Sequence, residues 1–436
     1  MNTYFHFLSL SIVYCVLITY SNAFSIVSSI QEQSPNLVTE VCYGTPTQCF
    51  SAAVSFSSCK SFISGNLNTP YKPTKSKTYK SSSDGEINIS YDVLGKSITG
   101  QKAFDTLSIN NRKIGSNQFY LATNTKDFPN VNGLLTLCPF NEGEQSNTPV
   151  VSNLTPHHVI SVFYNEKIIY GALPTTVVKD YKSYGTCELI QNSLEGLATP
   201  NQKWECFIEG VSFGAHSISS IDALPNTRIA FDNGYDLSLA PFEYLLHLEK
   251  NLFNSLIKEN KCIFGIKNGL FTFSCGSDTY LDKNVNLVIG NWIIKLSSKD
   301  LFTYDESEDE YDFAFRTRID NNHFVLGNNI LKKLITVYDV SNNCVGFYNT
   351  QIVEYIGNSK LVAPKTFETP VDPSKISSSG KAIIGFVKFV GFILLCGLML
   401  LLSFLVFRYF RRKRFPDQSH YYKVTDDLFE SGTFMN

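Results

Sequence analysis

Residues 228–241 read RIAFDNGYDLSLAP. Ile229, Ala230 and Phe231 form a strand-like apolar run that ends in one carboxylate, Asp232. Burying an unpaired charge is costly, so a carboxylate at the end of such a run needs partners or a task. Asn233 and Gly234 follow, and glycine permits the tight turn that would point Asp232 into a cleft. A second apolar run leads to Pro241, a residue suited to the first turn of a helix. Within residues 242–258, Leu245, Leu248, Leu252, Phe253 and Leu256 share a face at three- and four-residue spacing, which predicts a helix.

Outward from this stretch the chain reads as all-β. Short runs of Val, Ile, Phe, Tyr and Thr alternate with Asn, Gly, Ser and Pro clusters, the pattern of many hairpins. A hydrophobic fraction of 43%, with 34 Phe and 23 Tyr among 436 residues, is ample for a large core. The formal charge of −2 and the lack of a basic patch interleaved with aromatics give no footprint for nucleic acid. Residues 5–20 are apolar and lead into Ser21-Asn22-Ala23, so residues 1–23 are expected to be a signal peptide. Residues 351–380 are rich in Pro, Ser and Lys and read as a stalk. Residues 382–407 are apolar around Lys388 and long enough for one transmembrane helix. Arg408, Arg411, Arg412, Lys413 and Arg414 follow, which makes residues 408–436 a cytoplasmic tail. The expected layout is a type I single-pass membrane protein of the secretory route, at the cell surface or in endosomes, with a lumenal or extracellular body. In the tail, Tyr421 and Val424 fit a Tyr-x-x-hydrophobic sorting signal. Of eleven cysteines, Cys15 and Cys396 fall in the two apolar segments, leaving nine in an oxidising compartment and at least one of them odd. Asn88 and Asn153 open glycosylation sequons.

The motif around Asp232 is similar to the second active-site motif of pepsin-like aspartic proteases, hydrophobic-hydrophobic-Asp-Thr-Gly-Ser/Thr, with Asn233 for Thr and Tyr235 for Ser/Thr. Further blocks follow in family order. Tyr43-Gly44-Thr45-Pro46-Thr47-Gln48-Cys49-Phe50 resembles the family's first hairpin. Ile89-Ser90-Tyr91 with Ser97-Ile98-Thr99-Gly100 resembles its flap, with Tyr91 as the flap tyrosine. Asn132-Gly133-Leu134-Leu135 matches D-G-I-L with Asn for Asp. Lys203-Trp204-Glu205-Cys206-Phe207-Ile208 resembles the strand that leads to the second loop. Phe324-Val325-Leu326-Gly327-Asn328, Val337-Tyr338-Asp339 and Asn343-Cys344-Val345-Gly346-Phe347 resemble the closing blocks. The resemblance implies a bilobal double β-barrel, with lobes at 36–170 and 171–350 and a cleft between them. Placed on that fold, the cysteines pair as Cys42–Cys49, Cys187–Cys206, Cys262–Cys275 and Cys59–Cys138, with Cys344 left over. The sequence alone leaves other connectivities open.

Aspartic proteolysis uses two carboxylates that share one proton about a water, one as base and the other as acid. Counted from the first hairpin, the family's D-T-G-S-S falls on Ser55-Phe56-Ser57-Ser58-Cys59. Serine cannot take the water's proton, and the resemblance therefore implies a catalytically inactive homologue. Such a protein would bind a peptide or protein in or near the cleft, without cofactor or metal. In this reading Asp232 accepts backbone N–H bonds within its own turn. Phe56 and Asn233 replace the small hydroxyl residues that anchor the two loops to each other, so both sides of that grip are expected to be lost, and Ser55→Asp alone is expected not to restore hydrolysis. The alternatives are an active membrane-anchored aspartic endopeptidase with an atypical acid, and a structural surface protein. Ser57 and Lys60 have S-x-x-K spacing without a companion motif, His157-His158 has no further ligand at zinc spacing, and residues 305–310, DESEDE, read as a solvated loop with calcium binding as the alternative.

Overall fold

The computed structural model describes residues 26–29, 31–33, 36–56, 58–65, 71–91, 97–110, 112–126, 128, 132–139, 158–164, 166–190, 203–214, 222–224, 226–276 and 284–364. All lie in the first of two units, Met1–Pro370 and Val371–Asn436. The signal, transmembrane and tail expectations, with Tyr421 and Val424, lie outside the described residues. So do Asn153, Ser57, the stalk beyond residue 364 and residues 92–96 of the flap. Among the described residues no helix is long and apolar enough to cross a membrane.

Strands dominate, as the alternating pattern requires. Asn268-Gly269 shows how the sequence sets them: both residues have positive φ, 52° and 78°. That is the turn which folds Cys262–Lys267 back on Leu270–Cys275 with Lys267 opposite Leu270. Among the described residues the first half forms a nine-stranded sheet, and the second half forms sheets of five, five and four strands.

A six-stranded antiparallel sheet joins the halves, in the order Ile26–Ser29, Lys167–Tyr170, Val159–Phe163, Ile335–Asp339, Cys344–Tyr348 and Tyr184–Glu188. Its central pair, Val159–Phe163 with Ile335–Asp339, brings together segments from opposite halves. Its first strand begins three residues after the expected cleavage point, so this segment is built into the body of the protein. The predicted helix is present as Phe242–Leu248 and Asn254–Lys258, joined through a wider turn at Glu249–Phe253. Leu245, Leu248, Leu252 and Phe253 face the core.

Disulfides join Cys42 to Cys49, Cys59 to Cys138, Cys187 to Cys206 and Cys262 to Cys275, and Cys344 is a free thiol. The acidic run at 305–310 is answered from within the protein: Lys267 Nζ lies 2.8 Å from Asp305, 2.8 Å from Glu308 and 2.9 Å from Asp312.

Candidate functional site

Two strand ends are built alike. Gln48–Ser55 runs parallel to Gly133–Thr136, with Ala53, Val54 and Ser55 opposite Leu134, Leu135 and Thr136. Phe62–Ser64 lies antiparallel on the far side of Gly133–Thr136. In the second half Arg228–Phe231 runs parallel to Phe324–Leu326, with Ala230 and Phe231 opposite Val325 and Leu326. Ser238–Leu239 completes that arrangement antiparallel. Val54 therefore corresponds to Phe231, and the next residues, Ser55 and Asp232, hold equivalent places at the ends of their strands.

The two loops are tied by Asn233. Its Oδ1 accepts the Phe56 N–H at 2.9 Å, and its Nδ2 donates to the Val54 carbonyl at 2.7 Å. One buried amide thus spans the backbone on both sides of Ser55. This corrects the expectation that both sides of the grip are lost. An amide carries a donor and an acceptor on one planar group, so it can serve both backbone partners, as a hydroxyl can. The other side is replaced by packing. Phe56 is buried and stacks on Tyr338 of the joining sheet, with ring centroids 3.9 Å apart and planes 9° from parallel. Trp204 meets Tyr338 edge-on and donates from Nε1 to the Leu137 carbonyl at 2.7 Å, another bond between the halves. The Tyr338 hydroxyl lies 3.1 Å from that of Tyr164, and burial raises both phenols above their ordinary values.

Asp232 is 8% exposed, and its Oδ1 accepts the Gly234 N–H at 2.7 Å. Asn328 supports the turn from below, donating from Nδ2 to the Asn233 carbonyl and from its backbone N–H to the Tyr235 carbonyl. The turn passes so close to Gly327 that a Cβ there would lie 2.5 Å from the Leu237 carbonyl oxygen. Ser55 is 6% exposed and brings only a hydroxyl. The acids of the flap region serve elsewhere. Asp105 accepts from Tyr71 at 2.8 Å and from Thr78 at 2.6 Å, and Asp84 accepts from Ser82. Asp92 lies outside the described residues.

One nearby carboxylate was not singled out from the sequence. Glu205 lines a cavity of about 10 Å³ that Asp232, Phe56, Tyr235 and His323 also border, room for roughly one water. The antiparallel register sets Glu205 opposite Ala230, on the face of the strand that carries Asp232. That alternation with Trp204 was the available signal. Glu205 is buried and paired with Arg228 at 3.6 Å and Lys203 at 3.8 Å, so it is already committed to two cations. Burial holds the His323 imidazole below its ordinary pKa.

Tyr91 follows the strand Ile87–Ser90, which pairs with Ser97–Ile109 as a hairpin. Its ring packs edge-on to Phe62 and Phe128, at centroid distances of 5.8 and 5.2 Å. Asn88 is exposed on the same hairpin. Among the described residues, metal-ligand spacing occurs at Glu40, Cys42 and Cys49, but both sulfurs are in a disulfide and offer no thiolate.

The family model for eukaryotic aspartyl proteases matches residues 40–350. No curated protein matches the chain by sequence. Among solved structures, the aspartic proteinase from Irpex lacteus is similar at 17% identity and a TM-score of 0.58, over 75% of this chain and 98% of that one. With the paired strand ends and a family match over most of its length, the chain belongs to the eukaryotic aspartyl protease family.

Proposed function

We propose that this chain is a membrane-anchored, non-hydrolytic member of its family, whose lumenal or extracellular body holds a peptide or protein partner in or near the groove between its halves. The observation that carries this reading is the place of Ser55. The Asn233 amide bonds the backbone on either side of it, and the strand register makes it the counterpart of Asp232. Hydrolysis by this family's chemistry needs a carboxylate at both places, one to take the water's proton and one to polarise the carbonyl. A serine hydroxyl supplies neither the base nor the shared negative charge. Loss of one member of such a coupled unit costs about 10⁴-fold or more in rate. Asp232, with the Gly234 N–H on its Oδ1, acts as the brace of its own turn.

The test incubates the full-length chain with a diverse peptide library from acid to neutral pH, with and without a transition-state inhibitor. Saturable binding without turnover is the expected result. Inhibitor-sensitive cleavage that Asp232→Asn abolishes overturns the reading.

A further inference from the structure

Residues 71–80 read YKPTKSKTYK, with lysine at 72, 75, 77 and 80. All four lysines are exposed. Among the described residues none of them meets a carboxylate, whereas Lys167, Lys203, Lys261, Lys267, Lys295 and Lys333 each do. The backbone that carries them is pinned. Gln48 holds Lys72 through both ends of its amide, accepting the Lys72 N–H at 2.8 Å and donating to the Lys72 carbonyl at 3.1 Å. The Lys77 N–H donates to the Thr45 carbonyl, and the Ser76 hydroxyl accepts the Thr45 N–H. Lys80 pairs with Phe104 at the edge of the nine-stranded sheet. The two tyrosines of the run turn inward. Tyr71 is buried and donates to Asp105 at 2.8 Å, and Tyr79 packs against the same core. Asp105 is itself buried and also accepts from Thr78, so the acid beneath the run is engaged by hydroxyls.

We propose that this ledge binds a sulfated polysaccharide, its four ammonium groups meeting the sulfates of one linear chain. A lysine ammonium is a compact charge with three donors on a flexible stem, suited to anionic groups whose direction varies along a polymer. Residues 72 to 80 reach at most about 26 Å, so one extended polymer can meet all four while the backbone stays fixed. Binding then costs the protein side-chain order alone, because the main chain is already held. Other anionic partners fit less well. The core of a protein–protein interface is apolar, and lysine is depleted there. A single-stranded nucleic acid needs rings on which its bases stack, and Tyr71 and Tyr79 are turned away. Lysine-rich segments of this length are a general footprint for polyanions of the heparin class. The proposal does not depend on the groove. It shares with the proposed function only the lumenal or extracellular placement of the body, where sulfated polysaccharides occur.

The test adds a heparin decasaccharide to the full-length chain in detergent and follows acetylation of each lysine by mass spectrometry. At about nine-tenths occupancy, acetylation of Lys72, Lys75, Lys77 and Lys80 is expected to slow about tenfold, because only the unbound fraction reacts. Lys258 and Lys299, exposed in the second half, should react as before. Reading each lysine separately keeps the basic residues at 408–414 out of the result. The second measurement combines Lys72→Gln, Lys75→Gln, Lys77→Gln and Lys80→Gln, which leave the main-chain bonds in place. Affinity for the decasaccharide should fall about tenfold or more, and its dependence on salt should become shallower by about one per lysine removed. Unchanged acetylation of the four lysines overturns the proposal, and so does equal affinity with equal salt dependence in the combined variant. Protection by phosphatidylserine vesicles without protection by the decasaccharide makes the ledge a membrane-facing surface and overturns it too. Equal protection by a hyaluronate decasaccharide, carboxylated but unsulfated, has the same meaning. The acetylation result uses the unaltered chain and stands even if the combined variant fails to fold. Binding of the peptide library is measured apart from both: library binding without lysine protection leaves the groove reading in place, and lysine protection without library binding leaves the ledge.

Discussion

Replacing Asn233 by alanine tests whether one amide holds the two loops together. The side chain is 3% exposed and makes its two bonds to backbone groups across the groove, at 2.9 and 2.7 Å. Alanine leaves the Phe56 N–H and the Val54 carbonyl each short of one partner in a site closed to water. A buried group that loses its partner costs about 1–3 kcal/mol, and the two share one side chain, so a loss of about 3 kcal/mol is expected rather than the sum of the extremes. Urea unfolding of the full-length chain measures it as a lower midpoint at unchanged slope. Two further substitutions separate the bonds from mere bulk. A threonine hydroxyl donates and accepts at once, so Asn233→Thr should recover most of the loss. Asn233→Asp keeps an acceptor for the Phe56 N–H but has no donor for the Val54 carbonyl, and it sets a second charge beside Asp232. At neutral pH it should be at least as damaging as alanine, with relief as the pH falls toward about 4, below which the new carboxyl is protonated in both folded and unfolded chains. A cost under about 0.5 kcal/mol for alanine, or threonine no better than alanine, refutes the argument that this amide joins the halves.

Ser55→Asp sets a carboxylate opposite Asp232. At roughly 5 Å and an effective dielectric of about 20 the pair repels by about 3 kcal/mol, near two pKa units. One carboxyl of the pair is then raised above its unfolded value, so the variant matches the unaltered chain in stability below about pH 4 and falls behind as the pH rises through the raised value. Peptide turnover is expected to stay absent because Phe56, stacked on Tyr338, stands where the family's loop has a small hydroxyl residue, and a stability gap that does not change from about pH 4 to 8 shows that the two positions do not meet. Burial, then the carboxylates of Asp339 and Glu188, push the Cys344 thiol up to about 12. Iodoacetamide at pH 8 should therefore leave it unlabelled in the folded chain and label it in urea, and the stability tied to its protonated form should be lost as the pH climbs from about 9 toward 12. The Lys267 ammonium, and then Ser307, hold the Asp305 carboxyl well below the usual carboxylate range. Lys267→Met should lower the melting temperature at pH 7 and by less as the pH falls below about 4, since a depressed carboxylate contributes stability only above its unfolded value.

The parts of the site that could be read from the sequence are the ones set by local rules. Strand, carboxylate, Asn-Gly turn and proline-led helix follow one another within residues 228–258, and each is dictated by neighbours a few positions away. Ser55 was found by counting from a hairpin, which works because Gln48–Ser55 is one uninterrupted strand. Asn233 was misjudged because a change from hydroxyl to amide reads as a loss until the positions of two backbone groups 177 and 179 residues away are known. The burial of Tyr91 was hidden for a similar reason. Phe62 reaches it through the parallel and antiparallel pairings of the nine-stranded sheet and Phe128 from the turn that follows Arg112–Asn124, and no local pattern reports that meeting. The extra width of the helix at Glu249–Phe253 was equally silent, since its apolar face keeps the same residues pointed inward.

Asp232 has a structural task in its own turn. Its turn must place Asn233 where the amide can reach across the groove, and that needs the chain to double back within three residues. The Gly234 N–H donates to Asp232 Oδ1, and the carbonyl of Asn233 accepts from Asn328. Remove the carboxylate and the first of these is lost beside the residue whose position matters most to the contact between the halves. Ser55 is held differently. Its backbone is held by Asn233 through Val54 and Phe56, and Phe56 is locked by its stack on Tyr338. These contacts come from the side chains of Asn233 and Phe56 and are made with a serine at 55. On the Asp232 side the contact between the halves runs through a turn braced by a carboxylate, and on the Ser55 side through the backbone of Val54 and Phe56.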